Sequence, residues 1–195
     1  MLNHPVQLQV EHPRETDRIQ VVIRMAFLLA LAALGCSAVY WALYLALPAI
    51  VAAVLMNKGG QRYLAEDAPR IVPVLRWLAS AYGYLWLLTD VLPTAQGSPI
   101  DLKIEPAGRP RPSTALLRLL FSLPALIVLA VLSAASGILW VVGAVLILIR
   151  KRLPDAIADV LSFTLRFQFQ LIAYHLSLVE RYPSLRADQV AEATT

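Results

Sequence analysis

Charged residues are missing from two long stretches of the chain, residues 25–56 and 119–149, and every Lys, Arg, Asp and Glu lies outside them. Each stretch is about 30 residues, or roughly 45 Å as one straight helix, whereas a bilayer's hydrocarbon core is about 30 Å thick. Arg14, Arg18 and Arg24 precede the first stretch, and Lys58, Arg62 and Arg70 follow it. Arg109, Arg111 and Arg118 precede the second, and Arg150, Lys151 and Arg152 follow it. Basic residues beside membrane spans stay on one side, so the flanks predict two helical hairpins, over 24–57 and 115–150, rather than two single crossings. The turns are expected near Tyr40 and Trp41, and near Ser136 and Gly137.

Two short segments alternate with period two. Val6, Leu8 and Val10 fall on one face with Gln7 and Gln9 on the other, and Ile100, Leu102 and Ile104 repeat the pattern around Asp101 and Lys103. Both predict strands, 6–10 and 100–104. Third helices are expected over 69–92 and 154–182. In the second, Asp159, Ser162, Arg166 and Gln170 recur at intervals of three and four, an amphipathic pattern suited to the plane of a membrane interface.

The chain also resembles itself. Val6–Glu11 matches Ile100–Glu105, Arg24 matches Arg118, and Phe27 matches Phe121, all at an offset of 94. Further on, Leu75-Arg76 matches Leu165-Arg166, Tyr84 matches Tyr174, Asp90 matches Glu180, and Pro93 matches Pro183. The expected organisation is a tandem repeat, 1–95 and 96–195, within one membrane domain. If the third helices lie flat, the copies are parallel about an axis along the membrane normal; if they cross, the copies are inverted. The cost of Arg166, Gln168 and Gln170 in lipid favours the parallel arrangement.

Composition agrees with that pattern. Of 195 residues 58% are hydrophobic and 15% charged, with mean hydropathy +0.64. A soluble domain carries about 25% charged residues. The net charge of +4 is too mild for a nucleic-acid-binding chain. The fold class expected is therefore an all-α integral membrane protein: tandem transmembrane hairpins, each with an interfacial amphipathic helix, plus a small two-stranded cytoplasmic β element. The termini are expected on the cytoplasmic side of a multi-pass chain.

Candidate chemistry is sparse. Cys36 lies in an apolar run and reads as a packing residue. His4, His12 and His175 are scattered, no metal-ligand spacing occurs, and no cofactor or enzyme motif is present. The uncharged stretches lack the ionisable groups that ion pathways need, and small residues such as Ala42, Ala46, Ala49 and Ala53 suit helix packing. What recurs is Arg76/Arg166, Tyr84/Tyr174 and Asp90/Glu180, a set able to contact lipid headgroups or a partner, or simply to anchor interfacial helices. The strands, Val6, Leu8, Val10, Ile100, Leu102 and Ile104, present edges on which another subunit or a second copy could dock.

Arg118, Pro124, Arg152-Leu153-Pro154, Arg166, Ala173-Tyr174, Glu180 and Tyr182-Pro183 resemble the pattern of a bacterial membrane family called domain of unknown function 4389. Ala125, Lys151 and Glu180 depart from its usual residues, and the first copy follows it only at Arg24, Arg76, Tyr84, Asp90 and Pro93. The resemblance implies a bacterial inner-membrane setting and no assigned chemistry. The function expected is a non-enzymatic scaffold or accessory subunit of a membrane assembly or homo-oligomer, in contact with membrane lipids, anionic ones included. The alternative is a lipid- or small-solute-handling transporter built on the duplicated hairpin.

Overall fold

The computed structural model describes residues 4–10, 17–33, 36–93 and 99–185. Strand β1 (Val6–Val10) pairs antiparallel with β2 (Ile100–Ile104) in the two-stranded sheet that the alternation predicts. Leu8 lies opposite Leu102, Val6 opposite Ile104, and Val10 opposite Ile100, so the strands are related by a local two-fold through the Leu8–Leu102 pair. Glu105 N–H donates to the Pro5 carbonyl at 3.0 Å. That phase turns the backbone groups of Val6, Leu8, Val10, Ile100, Leu102 and Ile104 toward the outer edges. The edges are partly filled already: Arg76 Nε donates to Leu102 O at 2.9 Å, and Gln170 Nε2 reaches Val6 O at 3.5 Å.

Three layers follow. The apolar face of the sheet rests on α4 (Ala68–Leu85) and α7 (Asp155–His175), and its other face presents Gln7, Gln9, Asp101 and Lys103. Asp101 and Lys103 are paired at 3.5 Å, with both side chains more than half exposed. On the far side of α4 and α7 lie α1 (Arg18–Ala33), α2 (Cys36–Lys58), α5 (Pro112–Phe121) and α6 (Leu123–Arg150). A short α3 (Gly60–Glu66) links α2 to α4. The outer helices show apolar side chains to their surroundings, among them Ile19, Phe27, Ile50, Leu120, Ile138 and Ile149.

Helices α6 and α7 lie side by side and antiparallel. Gly143 faces Leu153 and Ile157, Ser136 Oγ bonds Thr164 Oγ1 at 2.8 Å, and His175 Nε2 bonds Ser122 Oγ at 2.7 Å. About half a turn round α7, Asp159, Ser162 and Arg166 border a cleft with Leu8, and Gln170 reaches Val6. Of the stripe expected to face an interface, Asp159 is exposed, Ser162 and Arg166 are half-buried, and only Gln170 is buried against β1. Of the most apolar window of α7, 67% is buried, against 17% for α6.

Several expectations need correction. No turn breaks the second stretch at Ser136 and Gly137: α6 runs unbroken from Leu123 to Arg150, about 42 Å long. A lone glycine costs a helix only about 1 kcal/mol, and the neighbouring Ser136–Thr164 bond ties that point to α7. Tyr40 and Trp41 lie within α2, so the turn expected there is absent, and residues 34–35 lie outside the described residues. Nor are the two halves clear tandem hairpins, since α1 and α2 have 16 and 23 residues and α5 and α6 have 10 and 28. The third helices stop early, at Leu85 and His175, because Leu87 (φ 64°) and Ser177 (φ 55°) adopt left-handed backbone that ends them. The chain termini, residues 1–3 and 186–195, lie outside the described residues.

Gly60 shows how tightly the α2–α3 corner meets the segment before α5. A Cβ there would run into the Pro110 carbonyl oxygen, which is backbone and cannot swing aside. Gly60→Ala is expected to destabilise the fold by about 1–3 kcal/mol. Gly137→Ala, with open space around its Cβ, is expected to be neutral or to stabilise by up to about 1 kcal/mol. Thermal unfolding of the two variants in one detergent measures the contrast.

Candidate functional site: arginine clamps at two helix ends

The ends of α4 and α7 are built alike. Trp86 N–H donates to Tyr82 O at 2.8 Å and Leu88 N–H to Gly83 O at 3.0 Å. Leu176 N–H donates to Ile172 O at 2.8 Å and Leu178 N–H to Ala173 O at 3.0 Å. Such ends leave carbonyls that need donors, and in each case an arginine from the first helix of the same half supplies them.

At the end of α7, buried Arg118 of α5 donates through Nη1 to Tyr174 O and Val179 O, both at 2.7 Å. Its guanidinium lies 4.7 Å from the Tyr174 ring centre, a cation–π distance. At the end of α4, Arg24 of α1 donates through Nη2 to Thr89 O at 2.9 Å and to Asp90 Oδ1 at 2.7 Å, 4.0 Å above the Tyr84 ring. Arg24 is fully buried, and its Nε and Nη1 make no hydrogen bond. Asp90 Oδ2 also accepts from Asp17 N–H at 3.0 Å, and Tyr84 OH donates to Gln20 Oε1.

The Arg118 end is larger and more polar. Glu180 Oε1 accepts from Arg109 N–H at 2.6 Å. Gly108 (φ 113°) makes room for that carboxylate, which its Cβ would strike. Tyr63 of α3 donates through its OH to Leu176 O at 2.6 Å. Burial, with Asp67 close by, pushes that phenol up to about 12, so it remains a neutral donor. Between α5 and the end of α7 an open cleft of about 480 Å³ is bordered by Arg109, Arg111 and Arg118 and by the apolar Leu117 and Phe121.

The expected set thus divides. Tyr84 and Asp90 meet at the Arg24 end, and Tyr174 and Glu180 at the Arg118 end. Arg76 of α4 sits apart, bonded to β2, and Arg166 lies 5.2 Å from the Phe163 ring beside β1. The two residues at the centre, Arg24 and Arg118, carried a sequence signal, being cations at the border of an uncharged stretch in both halves. Among the described residues no group of three or more His, Cys, Asp or Glu gathers as a metal site. His4 is buried and takes up Val6 N–H at 3.2 Å, while His12 lies outside the described residues.

The two clamps predict unequal mutational costs. Arg24→Met strands one buried carbonyl but leaves Asp90, 23% exposed, able to reach water, and it removes two unpaired donors. A loss of about 1–3 kcal/mol is expected, smaller than for Arg118, as a drop in unfolding temperature.

These features define a mostly helical chain with a small open sheet and, among the described residues, two helices, α6 and α7, long and apolar enough to cross a membrane. The model of the family described as Domain of unknown function (DUF4389) matches residues 112–185, which takes in α5, α6, α7 and the loop after α7. The match does not extend to the first half, so the likeness read there at Arg24, Arg76, Tyr84, Asp90 and Pro93 is not supported. No curated protein and no solved structure matches the chain.

Proposed function

We propose that the chain is a non-enzymatic integral membrane protein that serves as a scaffold or accessory subunit, embedded from one side of the bilayer. The observation that carries this reading is the contrast between its outer layers. One presents Gln7, Gln9 and the Asp101–Lys103 pair; the other presents large apolar side chains along four helices. A continuous apolar surface of that extent belongs in lipid.

The same contrast supports one orientation over the other. If α6 crossed alone, about 42 Å would have to fit a core of about 30 Å, a tilt of about 44° and beyond the usual range. The sheet overlies the middle of α7, so an upright α6 would also carry Asp101 and Lys103 to the depth of the hydrocarbon. Laying the layers parallel to the membrane avoids both costs. The sheet then meets water, α4 and α7 lie at the interface, and α1, α2, α5 and α6 lie among the acyl chains. The two basic ends, Lys58 with Arg109 and Arg18 with Arg150, share one surface. The two-fold register of the sheet supports parallel halves: β1 packs on α7 as β2 packs on α4, and α1 on α6 as α5 on α2.

The ionisable groups at the helix ends are engaged in holding carbonyls and backbone N–H groups, which suits a rigid scaffold. Partners, whether other membrane subunits or a second copy, meet the water-facing sheet. Purification in mild detergent tests this: a stable assembly larger than one chain is expected, and a solitary monomer with no retained partner contradicts it.

A further inference from the structure

We propose that the cleft between α5 and the end of α7 binds the phosphate-bearing headgroup of an acidic phospholipid, with Arg109 and Arg111 as its cationic rim and the exposed Leu117 and Phe121 as contacts for the acyl chain. This rests on the embedded orientation above.

Charge is the first ground. Arg109, Arg111 and Arg118 border the cleft against one carboxylate, Glu180, which is already held by Arg109 N–H. The imbalance favours an anion. The first turn of α5 carries no acidic residue to neutralise the positive end of its helix dipole.

The apolar lining identifies the anion as a lipid. Thr114, Leu117 and Phe121 recur at helical spacing along α5 and all line the cleft, so apolar side chains of α5 border it together with Arg109 and Arg111, which precede the helix. Leu117 and Phe121 are 47% and 61% exposed. A free phosphate has no use for those apolar side chains, whereas a phospholipid brings a phosphate for the arginines and an acyl chain for Leu117 and Phe121.

The test is native mass spectrometry of the full chain in mild detergent, titrated separately with phosphatidylglycerol and phosphatidylcholine, with inorganic phosphate as competitor. The wild type should retain phosphatidylglycerol in preference. Arg109→Gln with Arg111→Gln should weaken that retention roughly thirty-fold and leave phosphatidylcholine retention unchanged. Both side chains are exposed, so the unfolding temperature should not move. Phe121→Ser should weaken phosphatidylglycerol retention too. Equal retention of both lipids, or no effect of the arginine substitutions, overturns the proposal. So does displacement by millimolar phosphate, which would assign the cleft to a free anion. Carbonate extraction separates the two levels: a chain released from membranes sinks the embedded orientation, and one retained without lipid preference sinks only the cleft.

Discussion

Arg118→Met is expected to be among the most damaging single substitutions in the chain, lowering stability by about 3–5 kcal/mol, since each charged hydrogen bond contributes about 1.5–3 kcal/mol. Nη1 of Arg118 supplies two buried carbonyls, Tyr174 O and Val179 O, on either side of the left-handed Ser177. Methionine fills much of the volume and donates nothing, so both acceptors lose their donor at the buried floor of the cleft. A whole domain has only about 5–15 kcal/mol to lose, so the variant should unfold far below the wild type in detergent or fail to accumulate. Arg118→Lys keeps a donor without the planar fork and should fall between. An unchanged unfolding temperature for Arg118→Met would mean that the clamp does not hold the end of α7.

A second large effect is expected on the outer layer. Ile138 lies midway along α6 and is 68% exposed. If that face meets lipid, Ile138→Asp introduces a charge whose insertion costs about 2.5–3.5 kcal/mol at the centre of a span. The variant should partition out of membranes on carbonate extraction or be degraded. If the face met water, the same change would fall within about 0.5 kcal/mol of neutral. Gln7→Asp, on the polar face of the sheet and opposite Lys103, is the control and should behave as wild type.

Local periodicity made the sheet legible. Period-two alternation over five residues has no helical alternative, and strands β1 and β2 occupy those segments. The apolar outer helices were legible from the absence of charge. Long-range contact decided the rest. An unpunctuated apolar run does not say where a helix turns, and Ser136 is straightened by Thr164, which lies on another helix. The polar stripe of α7 read as one continuous surface, whereas its Gln170 end is buried against β1, more than 150 residues earlier, which nothing in its own segment shows. Arg24 and Arg118 were visible as matched cations, but the carbonyls they hold belong to helix ends far along the chain, and backbone acceptors leave no trace in side-chain identity.

The orientation of the layers is tested most directly by thiol labelling in a background where Cys36 is replaced by Ser. Single cysteines at Gln61 and Arg152 mark the two basic ends, and one at Ile138 marks the middle of α6. With an impermeant maleimide applied to sealed vesicles of known sidedness, Gln61→Cys and Arg152→Cys should react from the same face while Ile138→Cys stays protected. Reaction of the two ends from opposite faces would show α6 crossing the bilayer, and ready labelling at Ile138 would place the outer helices in water; either result contradicts the account.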